Sequence, residues 1–530
     1  MKKISKFVSV ILALIMALGC FAVCAYAEAP VTSTTPVVMM MGQGAEIYTA
    51  EGKRIYNFYL PDTYIADAVS ACLPAFKDAI LNGKYDEWRD MLFPYIDNVF
   101  EPLRLNGDGE IPEGQHIIEN QLSDAQLYQR AAAANGSYNC DTFRFSMDWR
   151  QDPFEVADQL RHRIEVVKAA TGFDKVSLIC RCQANAVLCA YLLKYGSDDL
   201  DCVSMYAATL GGVEAVSGAF SGNFDLDSKA LVKFYESMDL TIEDDLINDL
   251  INNTIGVLQD TYGLDIACAL IRPVLSKLYS EAVYECVLRS FGTFPGIWTL
   301  VSSADYKKAK EGVFAGKEEE YAGLIAKLDR YHNEIGLHYK EIIQKAADNG
   351  VKFSVVAKYN DAPMYPVCKD NLAVADMTVT LENSSFGATS VQTGKKLSAA
   401  YVAAANAKGK AGYISPDGIV DASTCMFPDT TWIIYNVDHK YFEHSITNIG
   451  MRFIASGGTM TVSDDPVYTQ FLTYIPESDT LVPMTAENGM QVPEDNSPKT
   501  PEGKKKAFLQ KLFDFLKTVF SFIFRLMNNK

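Results

Sequence analysis

The chain has 530 residues and carries 48 Lys and Arg against 66 Asp and Glu, a formal net charge of −18. So acidic a surface repels a phosphate backbone and excludes nucleic acid as the natural partner. Hydrophobic residues make up 48% of the chain, enough for a large core in one elaborated domain or two.

The first stretch, "MKKISKFVSVILALIMALGCFAVCAYAEAP", runs from lysines through an apolar segment to Ala25-Tyr26-Ala27. This predicts a secretory signal over residues 1–27, cut after Ala27, and a secreted or extracytoplasmic protein. Cys20, after Leu18-Gly19, offers a lipid-modified cysteine as the weaker alternative. Removing three leader lysines gives a mature charge of −21. Ten of the twelve cysteines then remain, without framework spacing, and read mostly as buried small hydrophobes. No pair has zinc-ligand spacing, so the reading needs no metal and no cofactor.

Next, "PVVMMMGQGAEIY" predicts a buried strand entering the glycine turn Gly42-Gln43-Gly44. In "CDTFRFSMDWRQD" the alternation of Phe143, Phe145 and Met147 predicts a second strand. Phe154, Ala157, Leu160, Ile164 and Val167 then recur at three- and four-residue steps, a helix with one apolar face that ends at Gly172. A strand at Val176–Cys180, a tight turn, a helix from about Ala184 and the strand "CVSMYAATLGG" follow. Strands alternating with helices predict a parallel sheet with crossover helices, an α/β fold. Residues 213–349 are long helical stretches without a strand, read as a cap inserted between sheet strands. "VKFSVVAKYN" restores the sheet, so the core comprises residues 36–212 and 350–474.

After Tyr474 the text turns rich in Pro, Glu, Asn and Thr, which predicts a solvated linker over 475–503. The final segment, 504–530, places Phe508, Leu512, Phe515, Val519 and Ile523 on one side and Lys511, Asp514, Lys517 and Arg525 towards the other. From Gly503 onward the net charge is +6, against −27 for residues 28–502. A basic amphipathic helix behind a linker predicts binding to a membrane surface; its charges make spanning unfavourable. The competing reading is a helix that packs on the body or on a partner.

The chemistry centres on "DKVSLICRCQANAVLCAYLLKYG". A strand-to-helix turn holds its tip residue clear of the sheet, aims the next N–H at a reacting carbonyl and adds the helix N-terminus potential. The tip here is Cys182, flanked at two residues' distance by the small Cys180 and Ala184. A thiol there is a nucleophile once a base or the helix end favours thiolate. The plain alternative is an inert buried cysteine. Among the late histidines, His439 follows the strand-like "TWIIYNV", with His444 in reserve on the next helix. Asp417 in "SPDGIVD" is the candidate acid, Asp421 its alternative.

Together "VVMMMGQGAEIY", "FRFSMDWRQDPFEVADQLRHRIEVVKAATGFDKVSLICRCQANAVLCAYLLKYG", "PDGIVD" and "DHKYF" resemble the lecithin:cholesterol acyltransferase-like branch of the α/β-hydrolases, which includes lipases. The likeness spreads over roughly residues 36–470. It implies an α/β-hydrolase fold with a helical cap and an oxyanion hole at Gly42-Gln43-Gly44. The family's Tyr-Asp-Trp-Arg matches Met147-Asp148-Trp149-Arg150 without the tyrosine. Its Gly-His-Ser-Met-Gly-Gly elbow falls on Cys180-Arg181-Cys182-Gln183-Ala184-Asn185 and differs at every position. Its Asp-Gly-Thr-Val matches Asp417-Gly418-Ile419-Val420, and its late histidine matches His439.

The leading expectation is an esterase, lipase or acyltransferase acting on an ester or thioester, with a lipid-like substrate. Cys182 is then the nucleophile, His439 the base and Asp417 the acid, with the N–H groups of Gln43 and Gln183 as oxyanion donors. The second expectation is an inactive hydrolase-fold binding module at the cell surface, which the altered elbow favours.

Overall fold

The computed structural model describes residues 30–42, 45–56, 62–117, 121–223, 228, 263–361 and 372–492. The leader, Gln43 and the segment 504–530, on which three expectations fall, lie outside the described residues.

One eight-stranded sheet organises the chain: β1 (Val37–Met40), β2 (Phe143–Phe145), β3 (Val176–Arg181), β4 (Leu200–Tyr206), β5 (Lys352–Tyr359), β6 (Thr431–Tyr435), β7 (Phe471–Ile475) and β8 (Thr480–Pro483). The spatial order is β2-β1-β3-β4-β5-β6-β7-β8. The first seven are mutually parallel, and β8 runs antiparallel to β7. The strand order reverses at β1 and β3. In open α/β sheets such a switch point leaves a crevice at the carboxyl ends of the strands, where ligands bind.

The strands are buried on both faces, which is why they read as near-continuous apolar runs. Val38, Met40, Leu178, Cys180, Val203 and Met205 share a core with α1 (Pro153–Thr171), α2 (Ala184–Tyr195) and α3 (Tyr339–Asp348). On the opposite face Val37, Met39, Ile179, Tyr206 and Val356 share one with α4 (His444–Ala455). Helix α1 starts as its sequence dictates: the Asp152 side chain accepts the Phe154 N–H at 3.0 Å, and Pro153 occupies the first turn. It ends at Gly172, whose φ of 76° needs a residue tolerant of the left-handed region. A mostly parallel sheet between helical layers, with a nucleophile-type turn after β3 and a cap after β4, is the α/β-hydrolase fold.

The cap has two parts where the sequence reading had one. Between β4 and β5 the described residues form a succession of helices, from Glu214–Ser221 to Ala322–Tyr331. A second insertion lies between β1 and β2, inside the 36–212 span assigned to the core. It holds the helices Asp62–Asn82 and Tyr85–Phe100 and a three-stranded antiparallel sheet, Ile47–Thr49, Arg54–Tyr56 and Gln115–Ile117. Trp88, Leu92, Ile96 and Phe100 of this part pack in one cluster with Phe291, Phe294 and Trp298 of the other. Neither part could bury its apolar stripe alone, so the two insertions close on each other. Arg150 ties them to the sheet domain, its carbonyl accepting the Gly296 N–H of the second insertion at 2.9 Å and its side chain holding the first. Fully buried, it forks onto Asp148 at 2.6 and 2.9 Å and donates to the Leu103 carbonyl and Gln115 Oε1 at 2.8 and 2.7 Å.

Residues 475–492, expected as the start of a solvated linker, are folded instead. β8 pairs with β7, and Leu481, Met484 and Met490 are buried. An edge strand needs only a few apolar positions, and here Pro, Glu and Asn around them masked the pattern.

Candidate active site

Strand β3 ends at Arg181, and α2 begins at Ala184. Between them Cys182 has φ of +54°, a conformation that costs energy for a residue with a side chain and is kept where surrounding structure imposes it. Three contacts impose it. The Cys182 N–H donates to the Tyr206 carbonyl of β4 at 2.9 Å. Asn185 Nδ2 donates to the Cys182 and Cys180 carbonyls at 2.8 and 3.3 Å. Gly42, just past β1, presses on the turn: a Cβ there would lie 2.9 Å from the Cys182 Cβ and 3.0 Å from the Arg181 carbonyl oxygen. Cys180 and Ala184, the small residues the turn demands, are fully buried.

His439 arrives from the loop after β6. Its N–H donates to the Asp376 carbonyl at 2.9 Å, and its Nδ1 meets Asp376 Oδ2 at 2.7 Å. Asp376 has no exposure, and its Oδ1 accepts the N–H groups of Val379 and Thr378 at 2.8 and 3.1 Å. Both carboxylate oxygens are thereby oriented, which places the proton of a neutral imidazole on Nδ1. The other ring nitrogen, Nε2, is buried without a hydrogen-bond partner. The Cys182 thiol is close enough for thiol and ring to shift each other's ionisation.

The charges in this array support one another. Burial pushes the Cys182 thiol up, but His439, Arg181 and the Gln183 N–H together outweigh it and bring the thiol below its ordinary 9.0. Burial alone would lower the His439 imidazole; Asp376 and Cys182 reverse this and raise it from 6.5 to about 9. For Asp376, burial again acts against ionisation, and His439 followed by Lys358 keeps the carboxyl below 3.8. Cysteine itself is a poor guide to the site. Burial drives Cys140, Cys202, Cys286 and Cys425 up to about 12, and Cys180 sits well above 9.0. Position and partners, not residue type, make Cys182 different.

The structure brings Cys182, His439 and Gln183 together and leaves Asp417 apart. Asp417, the expected acid, is buried in another contact set: its Oδ2 accepts from Tyr359 Oη at 2.6 Å and the Met490 N–H at 3.1 Å, its Oδ1 from Ser415 Oγ at 2.5 Å. The carboxylate on His439 is Asp376, in the same connection between β5 and β6. Asp421 accepts the Ser423 N–H at 2.8 Å and the Tyr401 hydroxyl at 2.9 Å. His444 lies at the start of α4, 3.8 Å from Asp141. Gln183 is the N-cap of α2; its side chain donates to the Trp149 carbonyl at 2.9 Å and so fastens the turn to the segment beneath the cap. Gln43, the other expected oxyanion donor, lies outside the described residues, although Gly42 places the chain against the elbow.

A signal for Asp376 is present in the sequence. Asp376-Met377-Thr378-Val379 carries the Asp-x-Thr-Val pattern with methionine in the glycine place. Met377 has φ of +70°, the conformation a glycine would have announced. Asp417-Gly418 drew attention by keeping the glycine.

No family model and no curated protein matches the chain. Among solved structures, "The crystal structure of Tle4-Tli4 complex" is similar at a TM-score of 0.31 and 10% sequence identity, covering 91% of this chain and 98% of that chain.

Proposed function

We propose that this protein is an acyl-ester or acyl-thioester hydrolase or acyltransferase with Cys182 as nucleophile, His439 as acid and base, and Asp376 as the orienting carboxylate. The observation that carries the reading is the mutual arrangement of these groups: a thiol at a strained strand-to-helix turn, made more acidic by an imidazole that a buried carboxylate holds at Nδ1.

In the reaction, the Cys182 thiolate forms a C–S bond to the substrate carbonyl carbon, and the carbonyl π pair moves onto oxygen. The Gln183 N–H, at the N-terminus of α2, stabilises that oxyanion, with the N–H of Gln43 as the second donor. One such donor contributes about 3 kcal/mol to the transition state. When the carbonyl re-forms, the leaving alcohol or thiol departs with the proton from His439 Nε2. Water or an acceptor alcohol then attacks the acyl-thioester, gives its proton back to His439, and frees the thiolate.

The apolar two-part cap fits a lipid-like acyl group. The basic tail at 504–530 is proposed to hold the exported enzyme at a membrane surface. No helix among the described residues is long and apolar enough to cross a membrane.

The test is turnover of short-chain thioesters and nitrophenyl esters. Cys182→Ala and His439→Ala should abolish it, and iodoacetamide should block it. A binding module without turnover is the reading favoured by the burial of Cys182 and His439, each only 6% exposed. That reading prevails if folded wild-type protein turns over none of these substrates and Cys182 stays unreactive to iodoacetamide at neutral pH.

A further inference from the structure

Two cations are buried behind this array, on the sheet face covered by α4. Arg181 ends β3 and is 2% exposed; Lys358, near the end of β5, is 1% exposed. Ile179, Tyr206 and Val356 furnish the same face, where packing alone calls for apolar side chains. A buried ammonium is kept only when its donors are fully engaged. Lys358 Nζ donates to the carbonyls of Asp438, His439 and Tyr441 at 2.9, 2.8 and 2.9 Å, which uses all three of its protons. Arg181 Nη2 donates to the carbonyls of His439 and Lys440 at 2.9 and 3.0 Å. Four consecutive carbonyls, 438 to 441, thus converge on two cations, and the His439 carbonyl is shared by both.

Carbonyl dipoles fix the ammonium but leave its charge uncancelled. That charge faces Asp376 and Cys182, which favour it, as does Asp438; Arg181 opposes it. His439, when protonated, is a further cation in the group.

We propose that Lys358, together with Arg181, is a positioning residue of the site: as an ammonium it clamps the 438–441 loop so that His439 stays on Cys182, and it favours the thiolate; on losing its proton it loosens the loop and slows the thiol. This rests on the acyl-transfer reading for its purpose, but its test does not need a substrate. Burial lowers Lys358 from 10.5 to about 7. The clamp is therefore complete below neutrality and weakens as pH rises through about 7, the reverse of an ordinary thiol, whose reactivity climbs with pH.

The experiment measures the rate of iodoacetamide labelling at Cys182 by peptide mass spectrometry on the full chain, from about pH 5.5 to 8.5. Wild-type protein should show a fall in rate centred near pH 7. Lys358→Arg, which cannot lose its charge in this range, should remove that step while remaining reactive. Lys358→Met, with folding checked by thermal melting, should label at least about tenfold more slowly than wild type at pH 6. If the methionine variant does not fold, the wild-type and arginine profiles decide. A wild-type profile without a step near pH 7, a step that persists in Lys358→Arg, or folded Lys358→Met labelled at the wild-type rate each overturns the proposal. Labelling that follows Lys358 in a protein without acyl turnover would leave the clamp standing and remove the acyl-transfer reading alone.

Discussion

Asp376 grips His439 at two points: its carbonyl accepts the His439 N–H at 2.9 Å, and its Oδ2 meets Nδ1 at 2.7 Å. The first contact sets where the loop lies, the second sets the ring's tautomer and orientation. One residue therefore couples the path of the β6 loop to the protonation of its imidazole. Asp417 performs a comparable double task elsewhere, joining Tyr359 at the end of β5 to the Met490 backbone. The two aspartates occupy one connection; in the proposed reading Asp376 serves the chemistry while Asp417 holds the fold.

Substituting each separates these roles. Asp376→Asn keeps the side-chain shape but presents an amide to Nδ1 and removes the charge that sustains the imidazolium. It should lower kcat/KM for a thioester by about 10²–10⁴-fold, with a small change in melting temperature. Asp417→Asn should do the opposite: a loss of about 1–3 kcal/mol in urea unfolding, with kcat/KM per folded molecule within about threefold of wild type. Paired kinetics and denaturation on the two variants check this, and the reversed pattern would return Asp417 to the role first expected of it.

The pH profile follows from the imidazole. In the proposed reaction the leaving group takes the His439 proton, and that proton is lost as pH rises through about 9. Beyond the step that Lys358 introduces near pH 7, the final alkaline limb of kcat/KM should therefore fall near pH 9 rather than near the ordinary 6.5. The acidic limb belongs to Cys182, whose thiolate persists below its ordinary 9.0. Removing the carboxylate in Asp376→Ala deletes the strongest force raising the imidazole, so the alkaline limb should move down towards neutrality. A pH titration of initial rates in both proteins is the measurement. An unmoved limb would assign it to another group.

Gly42 tests the elbow without removing a titrating group. A methyl at that position would lie 2.9 Å from the Cys182 Cβ, with backbone atoms of Arg181 and Gln183 at 3.0 and 3.1 Å on either side. Backbone on both sides cannot rotate away, so β1 and the turn must separate. Gly42→Ala should cost about 1–3 kcal/mol of stability and reduce turnover by shifting the nucleophile and the neighbouring oxyanion donor together. Urea melts and single-turnover acylation report the two effects, and wild-type values in both would mean that the turn yields more freely than its contacts indicate.

Much of this architecture is legible in the residues, because buried parallel strands leave unbroken apolar runs and glycines mark where helices stop. Val176–Arg181, the turn and α2 read directly from "VSLICRCQANAVL", and His439 follows from its place after "TWIIY". Asp376 was hidden because Met377 adopts a left-handed φ that sequence rules reserve for glycine. The first cap insertion was hidden for another reason. Its apolar stripe, Trp88, Leu92 and Ile96, has no partner in its own neighbourhood and acquires one only from Phe291 and Trp298, far along the chain. The cations behind the site were hidden because Lys358 sits in a strand text that otherwise reads as core; only the convergence of three carbonyls explains its burial.

The C-terminal region gives the last prediction, because the structure divides what composition had joined. β8 completes the sheet on β7, Met484 and Met490 are buried, and the Met490 N–H holds Asp417. Gly489 is packed so closely that a Cβ would lie 2.7 Å from the Asp417 Cβ. Truncation after Ile475 should therefore expose the β7 edge and leave the buried Asp417 short of a donor, costing several kcal/mol or abolishing soluble expression, on the order of the penalties for an unsatisfied buried carboxylate. Truncation after Pro501 removes only the basic segment and a few residues before it. That shorter deletion should leave melting temperature and turnover of a soluble thioester unchanged, while reducing co-sedimentation with anionic vesicles, since about 1 kcal/mol of attraction is lost for each surface-bound Lys or Arg. Vesicle binding that survives the deletion would relocate membrane affinity to the acidic body, which charge alone opposes.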